Sequence, residues 1–145
     1  MSGYLEANRE EYQERLRAVS RDGNWTGWCA FFLQGIIQQS AENEHKARAI
    51  LSLYNGIMDQ VVNLSHSPHA VRAVDFIFQM PIFSAPVFES GAGIPKPSAN
   101  RIMNILRDEG LLITLREGKG RRAGVYAFTE LLNITEGGNI FEAHR

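Results

Sequence analysis

A polar face on one predicted helix carries the side chains best suited to reading a ligand. From Pro97 onward, Asn100, Arg101 and Asn104 recur at helical spacing on one side, together with Asp108. Amide and guanidinium groups present the paired hydrogen-bonding edges that match adenine and guanine in the major groove of DNA. This face therefore predicts contacts to base edges.

A glycine-rich basic loop follows this helix at residues 117–123. Residues 96–124 hold seven basic and three acidic side chains, a net charge of +4 in a chain whose formal charge is -1. Such a loop is typical of phosphate contacts, which position a protein on DNA. The predicted nucleic-acid-binding residues are Lys96, Ser98, Asn100, Arg101, Asn104, Lys119, Arg121 and Arg122.

Two other interpretations of this segment stay open. The polar residues could form an ordinary solvated helix face, or the module could bind a protein. Asp108 and Glu109 lie at the end of the helix, where their carboxylates weaken the case for DNA. Helices that read DNA contact bases mainly through their N-terminal residues, so these carboxylates need not clash with phosphates.

The remaining chemistry-bearing residues form no catalytic pattern. The four histidines (His45, His66, His69 and His144) show no metal-ligand spacing. Gly118-Lys119-Gly120 is not a phosphate-binding P-loop, because Arg121 occupies the position of the magnesium-binding Ser or Thr. Cys29 lies in the most apolar segment, which predicts a buried and inert thiol. We expect no enzymatic activity, no metal and no cofactor for this chain.

Composition narrows the class of protein. Of 145 residues, 44% are hydrophobic and one is cysteine, which suits a globular protein in a reducing compartment. The longest apolar run spans residues 29–33, far too short for a bilayer. We therefore expect a cytoplasmic protein without a membrane partner.

The first half of the chain has helical periodicity throughout. It predicts helices over residues 4–20, 25–40 and 42–64, with Asn24 as an N-cap and Gly56 as a weak point in the third helix. The second helix is apolar over a wide arc, which indicates burial on more than one side.

The second half differs in composition, since all five prolines lie between residues 68 and 97. Ser67-Pro68 begins a helix with Val71 and Val74 on its apolar face, and a second short helix follows Pro86. The helix after Pro97 buries an apolar seam and is followed by strands over residues 111–116 and 124–128 around the basic loop. That order is typical of a winged helix.

The expected fold is mainly α: an N-terminal three-helix bundle over residues 1–66 and a winged helix-turn-helix domain with a small β-hairpin wing over 67–135. Residues 136–145 would form a tail.

The first half resembles the region that follows the catalytic core in Fic-family (Fic/DOC) proteins, and the second half resembles the winged helix that often ends them. The resemblance covers residues 2–134. Its residues are Ser2-Gly3-Tyr4-Leu5-Glu6, Asn8-Arg9, Tyr12, Leu16, Val19, Gly23-Asn24-Trp25, Trp28, Phe31-Phe32-Leu33-Gln34-Gly35, Ser98-Ala99-Asn100-Arg101, Ile102, Leu106 and Gly110-Leu111-Leu112.

The H-P-F-x-x-G-N-G-R motif of Fic enzymes does not occur in this sequence. In the family its histidine is the general base and its loop holds the nucleotide phosphates. The resemblance thus implies protein AMPylation for a parent protein, and a non-catalytic C-terminal accessory or regulatory fragment for this chain. Its winged helix would bind DNA or a protein target.

The rival hypothesis is a free-standing winged-helix transcriptional regulator with an N-terminal helical dimerisation region. Both hypotheses need a partner for the apolar helix over Trp25–Gly35. That partner would be the missing Fic core, the winged helix or a second copy of the chain.

Overall fold

The structure, a computed structural model, describes residues 2–138. The chain divides into two compact units, Met1–Ala47 and Arg48–Arg145. The sequence predicts a boundary at residues 66 and 67, whereas the units divide within a long helix. The reason is that Ile57 and Val61, near the end of that helix, are buried in the core of the second unit.

The first unit contains two short helices and the beginning of a long one: α1 (Ser2–Ala7), α2 (Arg9–Asp22) and α3 (Trp25–Ser65). Gly23 ends α2 in the left-handed region at φ 67°. The Asn24 side chain accepts a hydrogen bond from the backbone N–H of Gly27 at 2.9 Å, which confirms Asn24 as the N-cap of α3.

Aromatic rings hold the first unit together. The rings of Tyr4 and Phe31 lie 5.5 Å apart, and those of Tyr12 and Trp28 lie 5.6 Å apart. Gly35 allows this approach, because a Cβ there would come within 2.6 Å of the Tyr4 ring. Much of α3 stays exposed in this unit, so the burial predicted on more than one side is not seen.

The helix boundaries differ from the predicted ones at two places. The predicted helix over 4–20 is divided at Asn8, whose backbone leaves helical geometry at φ -114° and ψ 37° and whose side-chain amide donates to the Tyr4 carbonyl at 2.9 Å. The predicted helices over 25–40 and 42–64 are one helix, α3, because residues 40–47 contain no proline or glycine to end it.

The second unit is a winged helix. A helix, a short strand, two further helices, and a two-stranded hairpin follow one another, and a last helix ends the fold. The three antiparallel strands have the order β1-β3-β2. These elements are α4 (Ala70–Gln79), β1 (Ile82–Ser84), α5 (Ala85–Ala92), α6 (Lys96–Asp108), β2 (Ile113–Arg116), β3 (Val125–Ala127) and α7 (Thr129–Glu136).

Strand β1 is absent from the sequence prediction. It has three residues, too few to show a period, and exists through its pairing of Phe83 with Tyr126 on β3. Helix α4 begins at Ala70 and not at Pro68, because the Ser67 side chain accepts a hydrogen bond from the His69 N–H and holds a turn there. The predicted tail over 136–145 falls mostly outside the described residues.

The core of the second unit is rich in phenylalanine. Phe88 is fully buried, and its ring lies 5.4 Å from that of Phe76. Val74 on α4 is buried as predicted and Ile77 is buried beside it, but Val71 is 50% exposed. On α3, Leu51 is also exposed, at 60%.

Candidate nucleic-acid interface

Helix α6 separates its apolar and polar residues onto opposite faces. The apolar face is buried, as its period predicts: Ala99, Ile102, Met103 and Leu106. Pro95 and Pro97 fix the start of the helix, and Gly93 at φ 61° forms the tight turn between α5 and α6. The Arg72 guanidinium donates to the Gly93 carbonyl at 3.2 Å and braces this turn.

The opposite face of α6 is open to solvent. Lys96, Asn100 and Asn104 recur every fourth residue and are exposed, so they form one polar stripe along the helix. Ser98, also predicted as a contact, is half-buried near the N-terminus of α6. Arg107 continues the stripe and is exposed.

Arg107 was not among the predicted site residues, although its spacing from Lys96, Asn100 and Asn104 would have revealed it. Its guanidinium carbon lies 5.7 Å from the centre of the Tyr126 ring on β3. This cation–π contact ties the last turn of α6 to the strand that leaves the wing.

Arg101 has a partner inside the protein. Its Nη2 donates a hydrogen bond to the backbone carbonyl of Ser65, the last residue of α3. The last carbonyls of a helix lack intrahelical partners and carry partial negative charge, so a guanidinium suits this position. The predicted base-reading group is thus engaged with α3.

A second contact links α3 to the residue that follows α6. The Gln60 side-chain amide donates to the Glu109 carboxylate at 3.0 Å. The sequence analysis counted the negative charge of Glu109 against DNA binding. In the structure, Glu109 directly follows α6, and this hydrogen bond links it to α3. The two contacts anchor α6 near its middle and just beyond its end.

The wing is a tight hairpin between β2 and β3. Lys119 and Arg122 exchange two backbone hydrogen bonds of 3.0 and 3.1 Å, with Gly120 at φ 59° in the turn. Gly118 and Gly124 let the two arms come close, since a Cβ on Gly118 would lie 3.1 Å from the Gly124 nitrogen.

The three predicted phosphate contacts lie at this tip. Lys119, Arg121 and Arg122 are all exposed, and no salt bridge of theirs occurs among residues 2–138. The tip therefore offers three cations to an anionic partner. Arg116 lies lower on the wing, and its guanidinium donates to the Ala123 carbonyl at 3.3 Å.

Cys29 is exposed, which corrects the expectation of a buried thiol. It lies on the side of α3 turned away from the Tyr4 and Tyr12 rings, so the apolar character of the segment did not predict its environment. Within the described chain, no three potential metal-ligating side chains lie together, and no helix is long and apolar enough to cross a bilayer. His144 lies outside the described residues.

Comparisons with known proteins add little to this geometry. No family model and no curated protein matches the chain. Among solved structures, a crystal structure of NadR in complex with 4-hydroxyphenylacetate is similar, with a TM-score of 0.39 and 18% sequence identity. The likeness covers 61% of this chain and 66% of that chain.

Proposed function

We propose that the winged-helix unit binds double-stranded DNA, with α6 in the major groove and the wing on the phosphate backbone. The observation that carries this proposal is that two kinds of DNA-binding group occur in one unit. Asn100 and Asn104 are exposed on α6, and three cations are exposed at the wing tip. Asn100 and Asn104 present the edges that pair with adenine, and the wing supplies the sequence-independent attraction. The chain would act as a DNA-binding regulator.

Fluorescence anisotropy on random and selected duplexes at two salt concentrations tests this function. Arg121→Ala should weaken binding to every sequence and lower the salt slope by about one unit. Asn104→Ala should instead cost about 1–3 kcal/mol on the selected duplex and relax preference at one base position.

Arg17→Ala is the matched control for the loss of one charge. Arg17 is exposed on α2 in the other unit, where its ion pair with Glu14 is 3.6 Å long and open to solvent. It should leave binding unchanged. If the wild type shows no binding even at low salt, the wing is a solvated loop and the DNA function is wrong.

A second candidate function rests on the residues shared with Fic-family proteins. Four aromatic residues of the matching pattern make ring contacts with one another between α1, α2 and α3: Tyr4, Tyr12, Trp28 and Phe31. In this hypothesis the chain is the accessory region of an AMPylating protein and has no catalysis of its own. Incubation with labelled ATP and candidate proteins should then give no transfer, and robust labelling would contradict it.

A further inference from the structure

One face of α3 in the first unit exposes a continuous apolar stripe. Its residues recur at spacings of three, four and seven and lie about a quarter-turn or more from the face that packs on α1 and α2. The exposed members, here called the α3 stripe, are Trp25, Cys29, Phe32, Leu33, Ile36 and Ile37.

The α3 stripe is large for a protein surface. Trp25 and Ile37 are each 63% exposed, and Leu33 is 57% exposed. An aromatic side chain has about 150–250 Å² of accessible surface. The exposed fractions of the six side chains add up to roughly 550 Å² of solvent-accessible apolar area. This equals the largest apolar patches of typical monomers, which are often functional surfaces.

The stripe contains no charge. Residues 25–41 form a 17-residue run without a single Asp, Glu, Lys or Arg, whereas α2 carries four acidic and four basic residues. A surface without charge is complementary to itself, since a two-fold pairing brings no like charges together and leaves no ion without a partner.

The area fits a second copy of this chain. Two stripes meeting face to face would bury roughly 1,100 Å², and the flanking polar residues would add a rim. The stripes alone fall just below the lower limit of specific protein–protein interfaces, about 1,200 Å² in total, and the rim supplies the difference. We infer that the α3 stripe is the contact surface of a homodimer, formed by antiparallel pairing of the two α3 helices about a two-fold axis.

Sedimentation velocity over a wide concentration range tests the dimer. The wild type should be dimeric, and Leu33→Asp or Ile37→Asp should weaken the dimer by about tenfold or more. Both side chains are more than half exposed in one chain, so their replacement should leave helix content and cooperative unfolding unchanged. Gln34→Asp is the control for Leu33→Asp, because Gln34 is exposed and lies about 140° around α3 from the centre of the stripe.

Cys29 provides a second readout, since it lies within the stripe. A bismaleimide crosslinker should give a covalent dimer with the wild type and little with Leu33→Asp. A wild type that stays monomeric overturns the inference, and so does a dimer that Gln34→Asp disrupts as strongly as Leu33→Asp. A monomer whose stripe instead captures a separately expressed Fic catalytic core also overturns it.

The dimer and the DNA function can fail separately. A monomeric chain that binds duplex DNA overturns the dimer alone, and a dimer without DNA affinity overturns the proposed function alone.

Discussion

Arg101 on α6 donates a hydrogen bond to the carbonyl of Ser65, which ends α3 and is itself fully buried. The guanidinium group, which is the side chain best suited to bind guanine, therefore forms part of the contact between two helices. In the proposed complex with DNA, base reading by α6 would therefore fall to Asn100 and Asn104, and Arg101 would position the helix that carries them.

Arg101→Ala should loosen the attachment of α6 to α3. It removes a charge-assisted hydrogen bond and leaves the Ser65 carbonyl without that donor, at a cost of about 1–3 kcal/mol in the free energy of unfolding. DNA affinity should fall equally for selected and random duplexes. Denaturant unfolding and anisotropy measure both effects, and a relaxed preference at one base position with unchanged stability would contradict positioning.

Arg101→Lys separates charge from geometry. Lysine keeps the positive charge but lacks the planar fork of the guanidinium, so it should recover part of the lost stability. Recovery of DNA affinity in step with stability is the expected result. Full affinity without recovered stability would mean that the charge acts on phosphate and not on Ser65.

The wing turn should depend on its glycine. Gly120 lies at φ 59°, where a β-branched residue is strained, so Gly120→Val should distort the hairpin that presents Lys119 and Arg122. We expect weaker binding to all duplexes with an unfolding midpoint close to the wild type, because the exposed tip adds little to the core. Gly138→Val, at an exposed position beyond α7, is the control.

The sequence predicts what repeats locally and misses what depends on distant partners. The buried seam from Ala99 to Leu106 has a helical period, so it was visible. Strand β1 has no period of its own, and Arg101 meets Ser65 across 36 residues of chain. The continuity of α3 was missed because a change from apolar to polar residues resembles a helix end, although a helix can continue while its environment changes.

The pairing of Tyr54 on α3 with Asp75 on α4 should make stability depend on pH in the alkaline range. The Tyr54 hydroxyl donates to the Asp75 carboxylate at 2.6 Å, and this hydrogen bond raises the pKa of Tyr54 above its ordinary value of 10.0. The folded state therefore holds the phenol proton more tightly than the unfolded state. The resulting stabilisation is complete below pH 10 and is lost as the pH rises through the folded-state pKa.

Tyr54→Phe tests this pairing, since it keeps the ring beside Phe78, 5.1 Å away, and removes the hydroxyl. The variant should be less stable by about 1–2 kcal/mol at neutral pH. Above pH 10 the difference should shrink, because the wild type alone loses this contribution. Urea unfolding across this range measures it, and a constant difference would contradict the assignment.

Two glycines in helices should respond in opposite ways to the same substitution. A Cβ at Gly91 on α5 would lie 2.3 Å from the Phe76 ring, which is buried against Phe88, so the ring cannot move aside freely. Gly91→Ala should therefore destabilise the winged helix by about 1–3 kcal/mol through overpacking. Gly56 on α3 has nothing within 4 Å of a Cβ and is exposed, so Gly56→Ala should stabilise by up to about 1 kcal/mol through helix propensity. Denaturant unfolding of the two variants beside the wild type decides, and a stabilising Gly91→Ala would mean that α4 and α5 pack less closely than the structure shows.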